Sequence, residues 1–141
     1  MPSAPSPMIR RYGIDTSILV RLLTGMPEAD YAGCVERLSA LVTGEGAAVA
    51  ASNQVIGEAY IAVQHHYGVS KADARAGLLD VFRSGLAAPL NGRPVQEAIQ
   101  ASDGAGLLDR LIAEDYASTD LDTLTLDKAM ANLPRARLLG A

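Results

Sequence analysis

Short apolar segments that alternate with stretches of helical periodicity are the feature that most constrains the fold of this chain. Residues 47–51 are wholly apolar, as expected of a strand buried on both faces. Further strands are predicted over residues 8–14, 86–90, 123–126 and 136–139. The alternation predicts an α/β fold, a three-layer α/β/α sandwich around a mostly parallel central sheet of about five strands.

Capping residues give the bounds of the predicted helices. Ser52 is a typical N-cap for a helix over residues 53–67, and Gly68 is a typical end for it. Ser70 with Asp73 resembles a capping box for the next helix, which ends at Gly85. The remaining helices are predicted over residues 17–23, 27–44, 104–118 and 127–133, with a short one beginning at residue 94.

The length and composition exclude several classes of protein. A chain of 141 residues fits one domain, and 49% hydrophobic with 20% charged residues suits a packed core and excludes a wholly disordered chain. No apolar run reaches the roughly 20 residues of a membrane span. Residues 1–7 are rich in Pro and Ser, so they are predicted to form a flexible tail before a single domain over residues 8–141.

Charge and cysteine content narrow the function further. Cys34 is the single cysteine, which excludes an intrachain disulfide and a multi-cysteine metal site and favours a reducing, cytoplasmic setting. The net charge of −4 shows no basic excess, so a nucleic acid would have to bind a local basic patch. The candidates for such a patch are Arg10, Arg11, Arg21, Lys71, Arg75 and Arg93.

Acidic residues stand where the predicted strands end. Asp15 and Asp127 follow their strands directly, while Glu58 and Asp109 lie in the second turns of predicted helices. Because helices that follow parallel strands begin at the same edge of the sheet, the four carboxylates are expected to share one crevice there. Carboxylates gathered in this way repel one another, and a cation held by oxygen ligands alone is typically Mg²⁺ or Mn²⁺.

Each acid taken singly has a simpler interpretation. Asp15 and Asp127 suit N-caps, which is the commoner role of an aspartate at the end of a strand. Glu58 and Asp109 suit solvated helix positions or ion pairs with Arg110 and Arg75. The equivalent placement of all four acids favours a shared site.

Four segments in register resemble the motifs of PIN domains. The run Ile14-Asp15-Thr16-Ser17 resembles the opening D-[TS]-[SN] motif, and residues 53–58 (NQVIGE) look like the helix that carries the second acid. Residues 109–113 (DRLIA) are similar to the D-x-L-I-A segment with the third acid. Residues 125–127 (TLD) resemble the T-F-D element with the fourth, where this chain has Leu126 in place of Phe. The resemblance covers nearly all of the chain after residue 7, and it is most similar to VapC-type toxins.

The resemblance implies a Mg²⁺-dependent endoribonuclease, the toxin of a type II toxin–antitoxin pair, which hydrolyses phosphodiester bonds in RNA. It implies a metal held mainly by Asp15, Asp109 and Asp127, with Glu58 orienting a metal-bound water or acting as general base. The hydroxyls expected to serve metal-bound waters or a phosphate oxygen are those of Thr16, Ser17 and Thr125. A homodimer and a small antitoxin protein that binds at the acidic crevice are the implied partners.

One departure from the PIN pattern keeps other functions open. Many relatives carry a further Asp three residues before the third acid, and this chain has Gly106 there. A PIN-like module that binds RNA or protein without cutting is therefore one alternative. Phosphotransfer through an aspartyl phosphate is another, although Ser17 stands where haloacid-dehalogenase-like phosphatases have a second Asp.

Overall fold

The computed structural model describes residues 8–140, so the predicted tail over residues 1–7 lies outside the described residues. All five described strands run parallel to their neighbours. They are β1 (Arg11–Gly13), β2 (Ala48–Ala51), β3 (Ala88–Pro89), β4 (Thr123–Thr125) and β5 (Ala136–Leu138). Hydrogen bonds join them as a sheet of order β1–β2–β3 and a separate pair β4–β5. The α/β class and the parallel pairing are as predicted, but the described strands form two sheets.

Seven α-helices connect the described strands. They are α1 (Thr16–Thr24), α2 (Glu28–Ser39), α3 (Asn53–Tyr67), α4 (Lys71–Arg83), α5 (Arg93–Gln100), α6 (Leu107–Ser118) and α7 (Lys128–Ala131). A π-helical turn over Ala40–Gly44 continues α2, so the helix predicted over residues 27–44 has two parts. The caps of α3 and α4 are as predicted. Oγ of Ser52 accepts a hydrogen bond from the Val55 amide, and Gly68 ends α3 at a φ of +64°. Because Gly68 has no Cβ, it adopts this left-handed conformation without strain.

The hydrophobic core lies between the helices and one face of the three-stranded sheet. Its fully buried large side chains come from α1, α3, α4, α5 and α6: Leu19, Ile56, Val63, Leu78, Val95, Ile99 and Leu107. Val49 and Ala51 project into this core from β2, whereas Ala48 on the opposite face is exposed. Among the described residues, the helices therefore cover this sheet mainly on one side.

The arrangement of β2 and β3 positions polar residues at one edge of the sheet. Since β1, β2 and β3 are parallel, their carboxyl ends lie together, and the residues that follow them meet at that edge. No described helix is long and apolar enough to cross a lipid bilayer.

Candidate functional site at the carboxyl edge of the sheet

Asp15 follows β1 and is the N-cap of α1. Its Oδ1 accepts hydrogen bonds from Oγ of Ser17 at 2.5 Å and from the amide of Ile18 at 3.3 Å. The Ser17 hydroxyl is the main cause that lowers the pKa of Asp15, and the Ile18 amide adds to it. Asp15 therefore caps α1, as its simpler interpretation predicted. Its side chain is exposed and ionised at neutral pH.

Glu58, in the second turn of α3, is joined to the residue after Asp15. Its Oε2 accepts a hydrogen bond from Oγ1 of Thr16 at 2.5 Å, and its Oε1 accepts one from Nε2 of Gln54 at 3.2 Å. These bonds lower the pKa of Glu58, the Thr16 hydroxyl most of all. The structure thus joins Glu58 to Thr16, the residue that follows Asp15.

Asp109 lies in the first turn of α6 and not in the second, because the helix begins at Leu107 instead of residue 104. Next to it, Leu108 packs against α3 so closely that a Cβ on Gly57 would lie 2.9 Å from Cδ2 of Leu108. The turn that carries Asp109 therefore lies beside the turn of α3 that carries Glu58. The guanidinium of Arg110 donates to two backbone carbonyl oxygens of its own loop. Arg110 therefore forms no ion pair with Glu58 or Asp109.

Asp127 is the N-cap of α7, with Oδ1 accepting from the amide of Met130 at 3.0 Å. The amide of Asp127 donates to Oγ1 of Thr125 at 3.0 Å, so this predicted hydroxyl has a turn contact. β4 is hydrogen-bonded to β5 and not to β1, so strand pairing does not set Asp127 beside Asp15. Within residues 8–140, no three side chains of His, Cys, Asp or Glu are close enough together to hold a metal ion.

The carboxylate oxygens of Asp15 and Glu58 are nevertheless suitable ligands for Mg²⁺. Both carboxylates are exposed and have a lowered pKa, so both are anionic at neutral pH. Mg²⁺ in proteins is commonly held by one or two carboxylates, with waters and substrate phosphates completing its octahedron. A pair of acids is thus sufficient for a hydrated ion, although it is not a closed metal cage.

A second polar cluster, which the sequence analysis missed, lies at the same edge. Nδ2 of Asn53 donates to Oε2 of Glu114 at 2.6 Å and to the carbonyl oxygen of Leu111 at 3.0 Å. Nδ2 of Asn91 donates to the same Glu114 oxygen and to Oδ1 of Asp115, each at 3.0 Å. Asn53 and Asn91 follow β2 and β3 as Asp15 follows β1, and this shared position was the signal that could have revealed them.

An open groove of about 710 Å³ runs between α3 and α6 beside these residues. Its walls are mainly apolar, and its polar members include Glu58, Asp115 and Asn53. Ile61, Leu108 and Ile112 line it with 36%, 39% and 46% of their surface exposed.

Half of the predicted basic residues have protein partners in the structure. Arg21 pairs with Asp30 at 3.9 Å, and Arg93 pairs with Glu97 at 3.4 Å. The guanidinium of Arg75 donates to the carbonyl oxygen of Ala101 and lies over the ring of Tyr60. The other three, Arg10, Arg11 and Lys71, form no ion pair with any described residue.

Comparison of the chain with protein-family models, with curated proteins and with solved structures gave no match in any of the three.

Proposed function

We propose that this protein is a Mg²⁺- or Mn²⁺-dependent endoribonuclease of the PIN type and the toxin of a toxin–antitoxin pair. The observation that carries the proposal is the hydrogen bond from Thr16 to Glu58, which connects one ionised carboxylate to the residue after the other, Asp15, at the carboxyl edge of a parallel sheet. The four motifs in register provide the second line of support.

In this proposal each acid has a defined task. Asp15 binds the ion, Glu58 binds it or orients one of its waters, and Asp109 and Asp127 are the further ligands that the resemblance implies. Bound Mg²⁺ supplies a Lewis acid for the scissile phosphate and lowers the pKa of a water. Thr16 and Ser17 orient the Glu58 and Asp15 carboxylates by donating to one oxygen of each.

The lowered pKa of Glu58 favours one of its two predicted tasks. A carboxylate stabilised in its ionised form by two donors binds a proton weakly, so it is a poor general base at neutral pH. We therefore assign Glu58 to holding the ion or orienting a water bound to it.

The proposal includes the single five-stranded sheet of a three-layer sandwich. In that arrangement β4 lies next to β1, and Asp127 would then follow the strand adjacent to that of Asp15. Contacts between α6 and β4 are consistent with the β4–β5 pair lying near the helix that carries Asp109.

The proposed partners are RNA, a small antitoxin protein and a second copy of this chain, all in the cytoplasm. The apolar groove between α3 and α6 supports the protein partners, because exposed aliphatic side chains that line one groove are typical of protein interfaces. The same groove also suits the alternative of a non-catalytic PIN-like binding module.

Cleavage assays on purified protein distinguish the two functions. We expect the wild-type chain to degrade RNA in MgCl₂ and not in EDTA, with Asp15→Asn and Asp109→Asn each lowering the rate by about 100-fold or more. Asp80→Asn, which changes an exposed acid on α4, serves as the matched control and should cleave at the wild-type rate. No cleavage by the wild type, or equal cleavage by the Asn variants, would overturn the nuclease proposal.

A further inference from the structure

A cleft of about 300 Å³ runs between α1 and α3 and begins at the candidate site. Ser17 lines one end of the cleft, and its hydroxyl donates to Oδ1 of Asp15. Arg21 also lines the cleft, four residues further along the same face of α1, which is about 6 Å along the helix axis. The cleft therefore leads from the end of α1 that carries Asp15 to Arg21, near the last turn of that helix.

The opposite wall, on α3, starts from the other acid of the candidate site. Ala62 and His66 line the cleft and follow Glu58 at intervals of four residues, so the three share one face of α3. Oε2 of Glu58 accepts the hydrogen bond of Thr16, the neighbour of Ser17. This bond fixes the two walls to each other at the end of the cleft that holds the acids.

The far end of the cleft holds groups that can bind a phosphate and a base. The Arg21 side chain is 41% exposed and lies 3.9 Å from the carboxylate of Asp30, which is longer than a hydrogen bond. Because an exposed ion pair of this kind contributes little to stability, Arg21 can exchange Asp30 for a phosphate. His66 is exposed and its imidazole carries an N–H donor in either neutral tautomer. Tyr67, beside it in the lining, is 50% exposed.

We propose that this cleft binds the stretch of single-stranded RNA next to the scissile phosphodiester, an inference that rests on the proposed nuclease function. Arg21 and His66 contact a phosphate of the strand, and the ring of Tyr67 stacks on a base. The acids at the near end repel the RNA backbone, so the protein must supply a cation further along the strand, and Arg21 lies one helical turn away. Contacts to phosphate and to a base face position the strand without reading its sequence.

RNA binding in EDTA tests this cleft apart from metal-dependent cleavage. The probe is a short fluorescein-labelled single-stranded RNA of mixed sequence, titrated with the full chain and followed by fluorescence anisotropy. We expect Arg21→Gln to raise the Kd about fivefold or more and to reduce the slope of log Kd against log salt by about 0.7, the effect of losing one phosphate contact. Arg21→Lys keeps the charge and should keep the slope. Arg83→Gln, which changes an exposed arginine on α4, is the charge-matched control.

Substitution of Asp30 tests the same contact in the opposite direction. Asp30→Asn removes the carboxylate that competes for Arg21, so it should lower the Kd, and this gain should disappear in combination with Arg21→Gln. Glu36→Gln removes an exposed acid from the same helix and should change the Kd less. If the Arg21–Asp30 pair serves the fold alone, Asp30→Asn binds RNA no better than Glu36→Gln does, and that result would overturn the phosphate contact.

The stacking contact has its own matched pair of variants. Tyr67→Ala should raise the Kd about fivefold or more, while Tyr67→Phe keeps an aromatic ring and should bind as the wild type does. Tyr116→Ala removes a ring of similar exposure on α6 and should leave the Kd unchanged.

The outcomes separate this cleft from the nuclease proposal. An unchanged Kd and salt slope in Arg21→Gln, or a wild type that binds no single-stranded RNA, would overturn the cleft even in a protein that cleaves RNA. A wild type that binds RNA through Arg21 and cleaves none refutes the nuclease proposal and retains the RNA-binding cleft. If both proposals are correct, Arg21→Gln raises the KM for RNA and leaves kcat nearly unchanged, because Arg21 lies away from the reacting atoms.

Discussion

Oγ1 of Thr16 donates a 2.5 Å hydrogen bond to Oε2 of Glu58, 42 residues further along the chain. The bond fixes the second turn of α3 to the first residue of α1, and so it holds Glu58 next to the N-cap Asp15. Hydroxyl donors stabilise an ionised carboxylate. The neighbourhood of these two acids is thus a property of the fold itself, since it is formed by protein groups alone.

Thr16→Val should raise the pKa of Glu58 towards its ordinary value. The variant removes the donor that contributes most to lowering this pKa and keeps the β-branched shape. Carboxyl-carbon NMR titration of Glu58 measures the change directly. Thr16→Ser retains a hydroxyl and is the control, so its titration should follow the wild type. An unchanged midpoint in Thr16→Val would contradict the role assigned to this bond.

Ser17→Ala should make the protein less stable at neutral pH but not in acid. The Ser17 hydroxyl lowers the folded-state pKa of Asp15 below its usual value of 3.8. A carboxylate with a lowered pKa stabilises the fold above its ordinary pKa, and this stabilisation disappears as the pH falls through the folded value. The free energy of unfolding in urea, measured from pH 7 to pH 2.5, should therefore differ between wild type and variant at neutral pH and converge below about pH 4.

A stability difference that stays constant over this pH range would show that Ser17 acts through packing or helix propensity and not through the Asp15 charge. Ser17→Thr keeps the hydroxyl, so its pH profile should run parallel to that of the wild type.

Substitutions of Asp127 separate its two interpretations, helix cap and metal ligand. Asn is as good an N-cap as Asp, so Asp127→Asn should preserve stability, whereas Asp127→Ala removes the bond to the Met130 amide and should cost about 1 kcal/mol. If Asp127 also serves the proposed nuclease, Asp127→Asn loses RNA cleavage while its unfolding midpoint is unchanged. If Asp127→Asn cleaves RNA at the wild-type rate, Asp127 serves only as a helix cap.

The sequence predicted the elements of this fold better than their assembly. The caps at Ser52 and Ser70 and the end at Gly68 are local signals, because a side chain or a positive φ satisfies the adjacent backbone groups. The number of strands and their parallel direction followed from the same pattern. Which strands pair depends on distant contacts, and the sequence does not show that β4 pairs with β5 and not with β1 in this structure.

Only part of the candidate site could be predicted from the sequence. Thr16 and Ser17 were expected beside the acids from motif position, and each donates to a carboxylate, Glu58 and Asp15 respectively. Asn53 and Asn91 were overlooked because each had an adequate local explanation, one as an ordinary residue of a helix and the other as part of an Asn-Gly turn. Their common partner, Glu114, is 61 and 23 residues away from them, which no local pattern reveals.

Ile112→Glu tests whether the groove between α3 and α6 is the proposed dimer interface. A charge in the centre of a buried apolar contact costs several kcal/mol, so the variant should sediment as a monomer at concentrations where the wild type is a dimer. Leu139→Glu changes an exposed apolar residue outside the groove, 60% exposed against 46% for Ile112, and should leave the oligomeric state unchanged. A monomeric wild type, or a dimeric Ile112→Glu, would contradict this interface.

Gly106→Asp should restore both a helix cap and the additional acid of the PIN pattern. Gly106 is the N-cap of α6 with no side-chain hydrogen bond, its φ of −68° suits any residue, and a Cβ there would meet no other atom within 4 Å. An Asp can therefore accept from the first amides of α6, with an expected gain of about 0.5 to 1 kcal/mol in the free energy of unfolding. Gly106→Ser provides a cap without a charge, and Gly106→Ala provides neither a cap nor a charge. The series therefore separates the effect of capping from that of charge. If Asp109 serves a metal, Gly106→Asp also raises Mn²⁺ affinity and RNA cleavage above Gly106→Ser, whereas equal values for the two variants would show that position 106 acts only through the helix.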